Sequence, residues 1–207
     1  MINKIRGTTG YTEQAEQLFE RYENIPFEEV HIGFLDLMPT SPGLVLDIGS
    51  GTGRDAAYFA DKGHRVVAVE PTDELRIPAA QLHPSPAIEW INDQLPTLDH
   101  VATRGERFDL IMLTAVWMHL DDQERQRAMP ILASLLQPGG VMIMSLRHGP
   151  SPPGRQMFDV SAKETIRLAE AAGLSVIKNT KSESTQSANR KKSVMWSKLA
   201  FRIDGKK

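Results

Sequence analysis

The 207-residue sequence contains no cysteine, which excludes a disulfide scaffold, cysteine-ligated zinc, iron–sulfur clusters and thiol nucleophiles, and fits a reducing compartment. No other metal site is expected. Long apolar runs are also missing, since the longest, Leu110 to Met118, is about half the roughly 20 residues a membrane span requires. The first residues, Met1 to Gly7, lack the apolar core of a secretory signal, so the expected location is cytoplasmic, away from the membrane. Neither sign of charge prevails: 26 acidic side chains stand against 24 basic ones, for a formal charge of −2. Nucleic acid is therefore not drawn by a global field. At 41% hydrophobic and 24% charged, with 15 glycines and 13 prolines scattered along it, the chain is neither disordered nor fibrous. A single domain over residues 1–207 is expected, in three stretches: a helical cover (1–43), a binding core (44–147), and a substrate-side loop, helix and terminal hairpin (148–207).

What is present is an alternation of two periodicities. Short aliphatic or β-branched runs occur at Leu44–Ile48, Arg65–Glu70, Ala87–Ile91, Phe108–Ala115, Gly140–Arg147 and Leu174–Thr180. Helical patterns lie at Gly53–Lys62, Asp73–Leu82 (interrupted by Pro78), Asp121–Leu136 and Ser161–Ala172, the last opened by a Ser161…Glu164 capping box. Strands separated by helices predict βαβ units, a mostly parallel sheet and helices on both faces. Ser193–Ile203 follows Leu174–Thr180 after only a polar loop, Lys181–Lys192, so these last two strands are expected to form an antiparallel hairpin. Two short helices, Thr12–Asn24 and Phe27–Met38, precede the first strand.

The most informative stretch is Val45-Leu-Asp47-Ile-Gly49-Ser50-Gly51-Thr52-Gly53-Arg54-Asp55, a buried strand running through alternate glycines into a helix. Glycine suits a turn with positive φ where a ligand touches bare backbone. No Gly-Lys-Ser/Thr follows, as a triphosphate-binding loop would need, and Arg54 stands where a dinucleotide fingerprint would place its third glycine. Asp47 would repel a pyrophosphate and attract an ammonium group. The ligand that fits has adenosine at one end and a positively charged amino acid at the other. Glu70, ending the second strand, can accept both hydroxyls of a ribose, and Asp93, after the third, can accept from an adenine amino group.

With these residues in place the chain resembles the class I S-adenosylmethionine-dependent methyltransferases of small-molecule type, by motif over Leu44–Arg147 and by order of elements beyond. The resemblance implies a Rossmann-like, doubly wound seven-stranded sheet with a C-terminal antiparallel hairpin strand. It implies S-adenosyl-L-methionine as cofactor and S-adenosyl-L-homocysteine as product. Asp47, Gly49, Gly51 and Gly53 would cradle the methionine part, Glu70 the ribose and Asp93 the adenine. Ser50, Thr52, Pro71, Asn92, Thr114 and Ala115 join them as cofactor-binding positions, and the fourth strand would end beneath the sulfonium. The acceptor is expected to be a small molecule, with an RNA or protein acceptor, or cofactor binding without catalysis, as alternatives. On the acceptor side stand Tyr11, Trp117, Arg147, His148 and Arg155, with His148 as the base if one is needed. His119 is expected to hold the turn that follows it. Arg190-Lys191-Lys192 lacks a second basic cluster or an aromatic series, which argues against nucleic acid. The sequence is silent on oligomeric state.

Overall fold

The computed structural model of the chain describes Thr8 and residues 10–203. In chain order the elements are α1 (Ala15–Glu23), α2 (Phe27–Val30), β1 (Leu44–Ile48), α3 (Arg54–Asp61), β2 (Arg65–Val69), α4 (Asp73–Leu82), β3 (Ile88–Ile91), α5 (Asp99–Ala102) and β4 (Phe108–Leu113). They continue with α6 (Asp122–Leu135), β5 (Leu136–His148), α7 (Ala162–Ala171), β6 (Leu174–Glu183), α8 (Ser187–Arg190) and β7 (Met195–Ile203). The seven strands form one sheet in the order β3-β2-β1-β4-β5-β7-β6. Strands β1 to β5 pair in parallel, while β7 runs antiparallel between β5 and β6. Chain order reverses between β1 and β4, which opens a crevice at the carboxyl ends of those two strands.

The sheet has two buried faces, and strand alternation assigns residues to them. Leu46 and Ile48 of β1 face the larger apolar cluster, with Phe108, Ile111, Trp117 and the α6 side chains Met129 and Leu132. Val45 faces the other cluster, with Phe27, Phe34, Phe59 and Met112. Asp47, two residues from Val45, shares that second face, so the β-period alone carries its carboxylate to the crevice on the side of α2 and α3.

Several expected boundaries move for identifiable reasons. The second N-terminal helix breaks at Gly33 (φ +80), leaving α2 and a 3-10 turn at Leu35–Leu37. Helix α4 runs through Pro78. Strand β5 begins at Leu136 rather than Gly140, taking in Pro138, Gly139 and Gly140, and its register against β4 shifts between Phe108 and Leu110. In α6 the capping box is complete: Asp121 Oδ1 accepts from the Glu124 amide at 2.8 Å and Glu124 Oε2 from the Asp121 amide at 2.8 Å. At α7 only half of the expected box forms, because Ser161 caps the Glu164 amide while the Glu164 carboxylate turns to Arg125 at 3.1 Å. The loop expected between β6 and β7 contains the single turn α8.

Candidate cofactor and acceptor site

A cavity of about 1170 Å³ opens at the carboxyl ends of β1, β2 and β4 and extends under the N-terminal segment and the loop after β5. Drug-sized ligands occupy pockets of roughly 300–1,000 Å³, so there is room for a cofactor and a second molecule.

The floor is the β1–α3 loop. The Gly49 and Ser50 amides both bond the Val69 carbonyl, at 2.8 and 3.0 Å, which ties the loop to the end of β2. Its glycines serve different purposes. A Cβ on Gly53 (φ +91) would lie 2.5 Å from the Trp90 ring and 2.9 Å from His83, so this glycine lets β3 and α4 pack against the start of α3. Gly53 is not on the cavity wall. At Gly51 (φ +57) a Cβ would meet nothing nearer than a backbone oxygen at 4.0 Å. The bare face of Gly51 is thus turned to open space on the cavity wall, as a ligand approaching the backbone requires.

Three acidic side chains stand around this loop at successive strand ends. Asp47 is 1% exposed, and its Oδ2 is buried without a partner. Burial, reinforced by Asp55 and Glu70 nearby, pushes its carboxyl well above the usual range against the pull of Arg54. Glu70 Oε2 accepts from the Gly51 amide at 3.0 Å and Oε1 from the Thr72 amide at 2.8 Å, while burial raises its pKa. Asp93 accepts from the Gln94 amide through Oδ1 and from the His100 and Val101 amides through Oδ2, at 2.8, 2.9 and 2.9 Å. It therefore also holds the first turn of α5 and retains lone pairs for a ligand.

Asp55, in the first turn of α3, was not expected at the site, yet it organises one. Its carboxylate meets His31 Nε2 at 2.8 Å, Arg54 Nη2 at 2.6 Å and the Thr114 hydroxyl at 2.9 Å. His31 and Arg54 hold its pKa far below the usual range despite burial. The cover, the glycine loop and the end of β4 are thereby joined at one carboxylate. Beside it Ala115 takes φ +61, a strained value for a residue with a Cβ, held by a bond from its amide to Ser145 Oγ at 2.9 Å.

At the other end, Tyr11 donates its hydroxyl hydrogen to His119 Nε2 at 3.0 Å, and His119 Nδ1 donates to the Gln156 carbonyl at 2.8 Å. The carbonyl can only accept, which fixes the hydrogen on Nδ1 and leaves Nε2 as acceptor. Burial, with Arg155 and Arg147 nearby, lowers the His119 pKa, so the ring is neutral at pH 7. Burial raises the Tyr11 pKa, keeping the phenol protonated.

Asp47, Gly49, Ser50, Gly51, Thr52, Glu70, Pro71, Asp93, Thr114 and Ala115 all lie on the cavity wall, as do Tyr11, Arg147 and Arg155. Three further expected positions join Gly53 off it, and their placement corrects the sequence reading. Asn92, between β3 and Asp93, is not among the lining residues. Trp117 is fully buried in the large core cluster. His148 is off the wall, with its Nε2 2.8 Å from Ser197 Oγ of β7. Sequence reasoning missed Gln94, whose Oε1 is buried without a partner on the cavity wall, as well as His31 and Asp55. Among the described residues no group of three or more His, Asp or Glu side chains is placed to hold a metal ion.

The unpartnered atoms decide what the cradle suits. Asp47 Oδ2, Ser50 Oγ and Gln94 Oε1 are all buried, unsatisfied and on the wall. Buried polar atoms are almost always paired, so these await hydrogen-bond donors from a ligand. A ligand with an ammonium group and a nucleoside supplies such donors, and a polyphosphate does not.

The chain is similar to known methyltransferases. A methyltransferase-domain model matches residues 45–140. An uncharacterized methyltransferase of Oceanobacillus iheyensis is 30% identical over 174 residues, covering 82% of this chain and 70% of that protein. One from Geobacillus kaustophilus is 29% identical over 141 residues, and the match spans only 60% of its length. Among solved structures, N-methyltransferase NodS from Bradyrhizobium japonicum WM9 with S-adenosyl-L-homocysteine superposes with a TM-score of 0.67 at 20% identity, covering 93% of this chain and 97% of that one. The Burkholderia thailandensis 1,6-didemethyltoxoflavin-N1-methyltransferase gives 0.66 at 20% identity, covering 93% and 87%. At such identities these two speak for the fold. The acid-lined glycine cradle, the sheet order and the Oceanobacillus relative lead to one conclusion: the chain belongs to the class I S-adenosylmethionine-dependent methyltransferase family.

Proposed function

We propose that the protein transfers the methyl group of S-adenosylmethionine to a small-molecule acceptor bound in the same cavity. The observation that carries this reading is the buried, unpartnered Asp47 oxygen beside the open face of Gly51. In this reading Asp47 and Ser50 hold the amino-acid end of the cofactor, Glu70 the ribose, and Asp93 with Gln94 the adenine. When bound, the cofactor supplies a methyl group on a sulfonium, a leaving group that needs no activation. The residues contribute position. Asp55 fixes Thr114 and the loop, and the Tyr11–His119 pair closes the acceptor side. Such alignment can be worth about 7–11 kcal/mol of barrier, enough to make a dedicated base dispensable for an acceptor that is already ionised or is a neutral amine.

Size and charge favour a small acceptor over RNA. Arg190, the first of the three loop cations, spends its guanidinium on the Ser184 and Thr185 carbonyls of its own loop. No helix among the described residues is long and apolar enough to cross a membrane. Isothermal titration of the chain with S-adenosylhomocysteine is expected to show saturable binding, and labelled cofactor is expected to pass its methyl to small molecules rather than RNA. Absence of any binding at millimolar nucleoside overturns the cofactor assignment, and salt-sensitive methylation of RNA overturns the acceptor class.

A further inference from the structure

The cavity is electrically divided. Asp47, Asp55, Glu70 and Asp93 gather near the ends of β1 to β3, with Glu124 and Glu183 also on the wall, whereas Arg21, Arg147 and Arg155 stand at the end of β5 and under the N-terminal segment. Arg54 on the same wall meets Asp55, and elsewhere Arg65, Arg76, Arg104 and Arg125 each meet a carboxylate, even on the exposed surface. Among the described residues these three cavity arginines form no ion pair within 4.0 Å of a carboxylate.

Arg147 is the most telling. It is only 8% exposed, and its hydrogen bonds run from Nη1 to the Pro150 and Gly149 carbonyls at 2.7 and 3.4 Å, leaving the other edge of the fork for a further acceptor. Arg155 lies 4.3 Å over the Tyr11 ring and donates to the Tyr22 hydroxyl at 3.3 Å and Gln14 Oε1 at 3.0 Å. Its Nε is buried without a partner. Arg21 donates to Gln186. Neutral oxygens and a ring face orient these guanidiniums without neutralising them. Burial, with Arg155 and Arg21 nearby, lowers the Arg147 pKa. Cations held together in this way are stabilised by an anion, and a guanidinium fork matches the oxygens of a carboxylate or phosphate.

We infer that Arg147 and Arg155 form an acceptor subsite for an anionic oxygen group, so that the methyl acceptor is a carboxylate- or phosphate-bearing small molecule. This rests on the proposed cofactor reading, because the cofactor's own carboxylate is the other anion that the arginines could hold.

The experiment separates the two. Benzoate, phenyl phosphate and the neutral isostere benzamide are titrated at constant ionic strength into the full chain, with and without saturating S-adenosylhomocysteine. Either or both anions are expected to bind at least tenfold more tightly than benzamide, the better one naming the group. That preference should shrink to within twofold in Arg147→Gln and Arg155→Gln, and the lysine variants should fall between. S-adenosylhomocysteine and its decarboxylated analogue are titrated in parallel, and both affinities should stay within twofold of wild type in the glutamine variants, which also shows that those variants fold. Equal binding of anions and benzamide overturns the subsite. A tenfold loss for S-adenosylhomocysteine alone, with the decarboxylated analogue unaffected, overturns it in favour of the cofactor's carboxylate. Failure of wild type to bind S-adenosylhomocysteine overturns the cofactor reading instead, and the anion preference is still read in its absence.

Discussion

Asp47→Asn is expected to strengthen the folded protein and weaken its ligand binding. The wild-type carboxylate is 1% exposed with an unpartnered oxygen, and an unsatisfied buried polar group costs about 1–3 kcal/mol, more when charged. Asparagine leaves a neutral polar group in the same place and relieves only the excess cost of the charge, so the ligand-free variant should gain about 1 kcal/mol, or about 2–4 °C in Tm for a chain of this length. The same change leaves only a neutral amide oxygen to face a ligand ammonium. Loss of a charge-assisted bond of about 1.5–3 kcal/mol weakens S-adenosylhomocysteine about 10- to 150-fold. The pH profile carries a third signature. Because burial raises the folded-state pKa of Asp47, the folded state binds the extra proton. Its contribution is fully present below the unfolded value of about 3.9 and is lost as pH rises through the folded value. The variant should lack that decline. Thermal unfolding from pH 4 to 8 and calorimetric titration read all three. A variant that binds S-adenosylhomocysteine within twofold of wild type, or whose ligand-free Tm falls at pH 7, refutes the argument.

Glu70→Ala should weaken S-adenosylhomocysteine about 10- to 150-fold through loss of about 1.5–3 kcal/mol, and should also free the Gly51 and Thr72 amides that Glu70 now receives. Faster amide exchange at those two positions, measured by NMR, checks the second effect. Gly51→Ala and Gly53→Ala should separate binding from folding. The Gly51 substitution meets open space and costs only about 1–2 kcal/mol for its left-handed φ, yet should block the nucleoside-binding surface. The Gly53 substitution drives a methyl to 2.5 Å from the Trp90 ring and should be visible first as a lowered midpoint in urea. Equal effects of the two on stability would contradict the roles assigned to them.

Strand positions and the closing antiparallel hairpin were legible because they follow from period and loop length, and the acids of the cradle because of their side-chain type. Asp47, Glu70 and Asp93 each stand at or just past a strand end, where alternation and length fix their place. What escaped was set by contacts distant in sequence. Asp55 could be seen as an acid in a first turn, but its partners His31 and Thr114 come from segments whose approach only the packed sheet determines. His148 and Trp117 sit within one or two residues of cavity positions, and a two-residue period with a short 3-10 turn sends them the other way. Gly53 shows that one glycine pattern can serve two ends, ligand access at Gly51 and ring packing at Gly53.

The position of β7 bears on how the chain comes together. β6 pairs with no strand but β7, and β7 alone separates it from β5. During synthesis β5 must therefore wait, one edge unsatisfied, while α7 and β6 emerge, and the sheet closes only when the stretch Met195–Ile203 slots in as its keystone. Unpaired strand edges recruit other chains. A lesion in this late segment would cost solubility, and at Trp196 or Lys198 it would also reach the cavity wall.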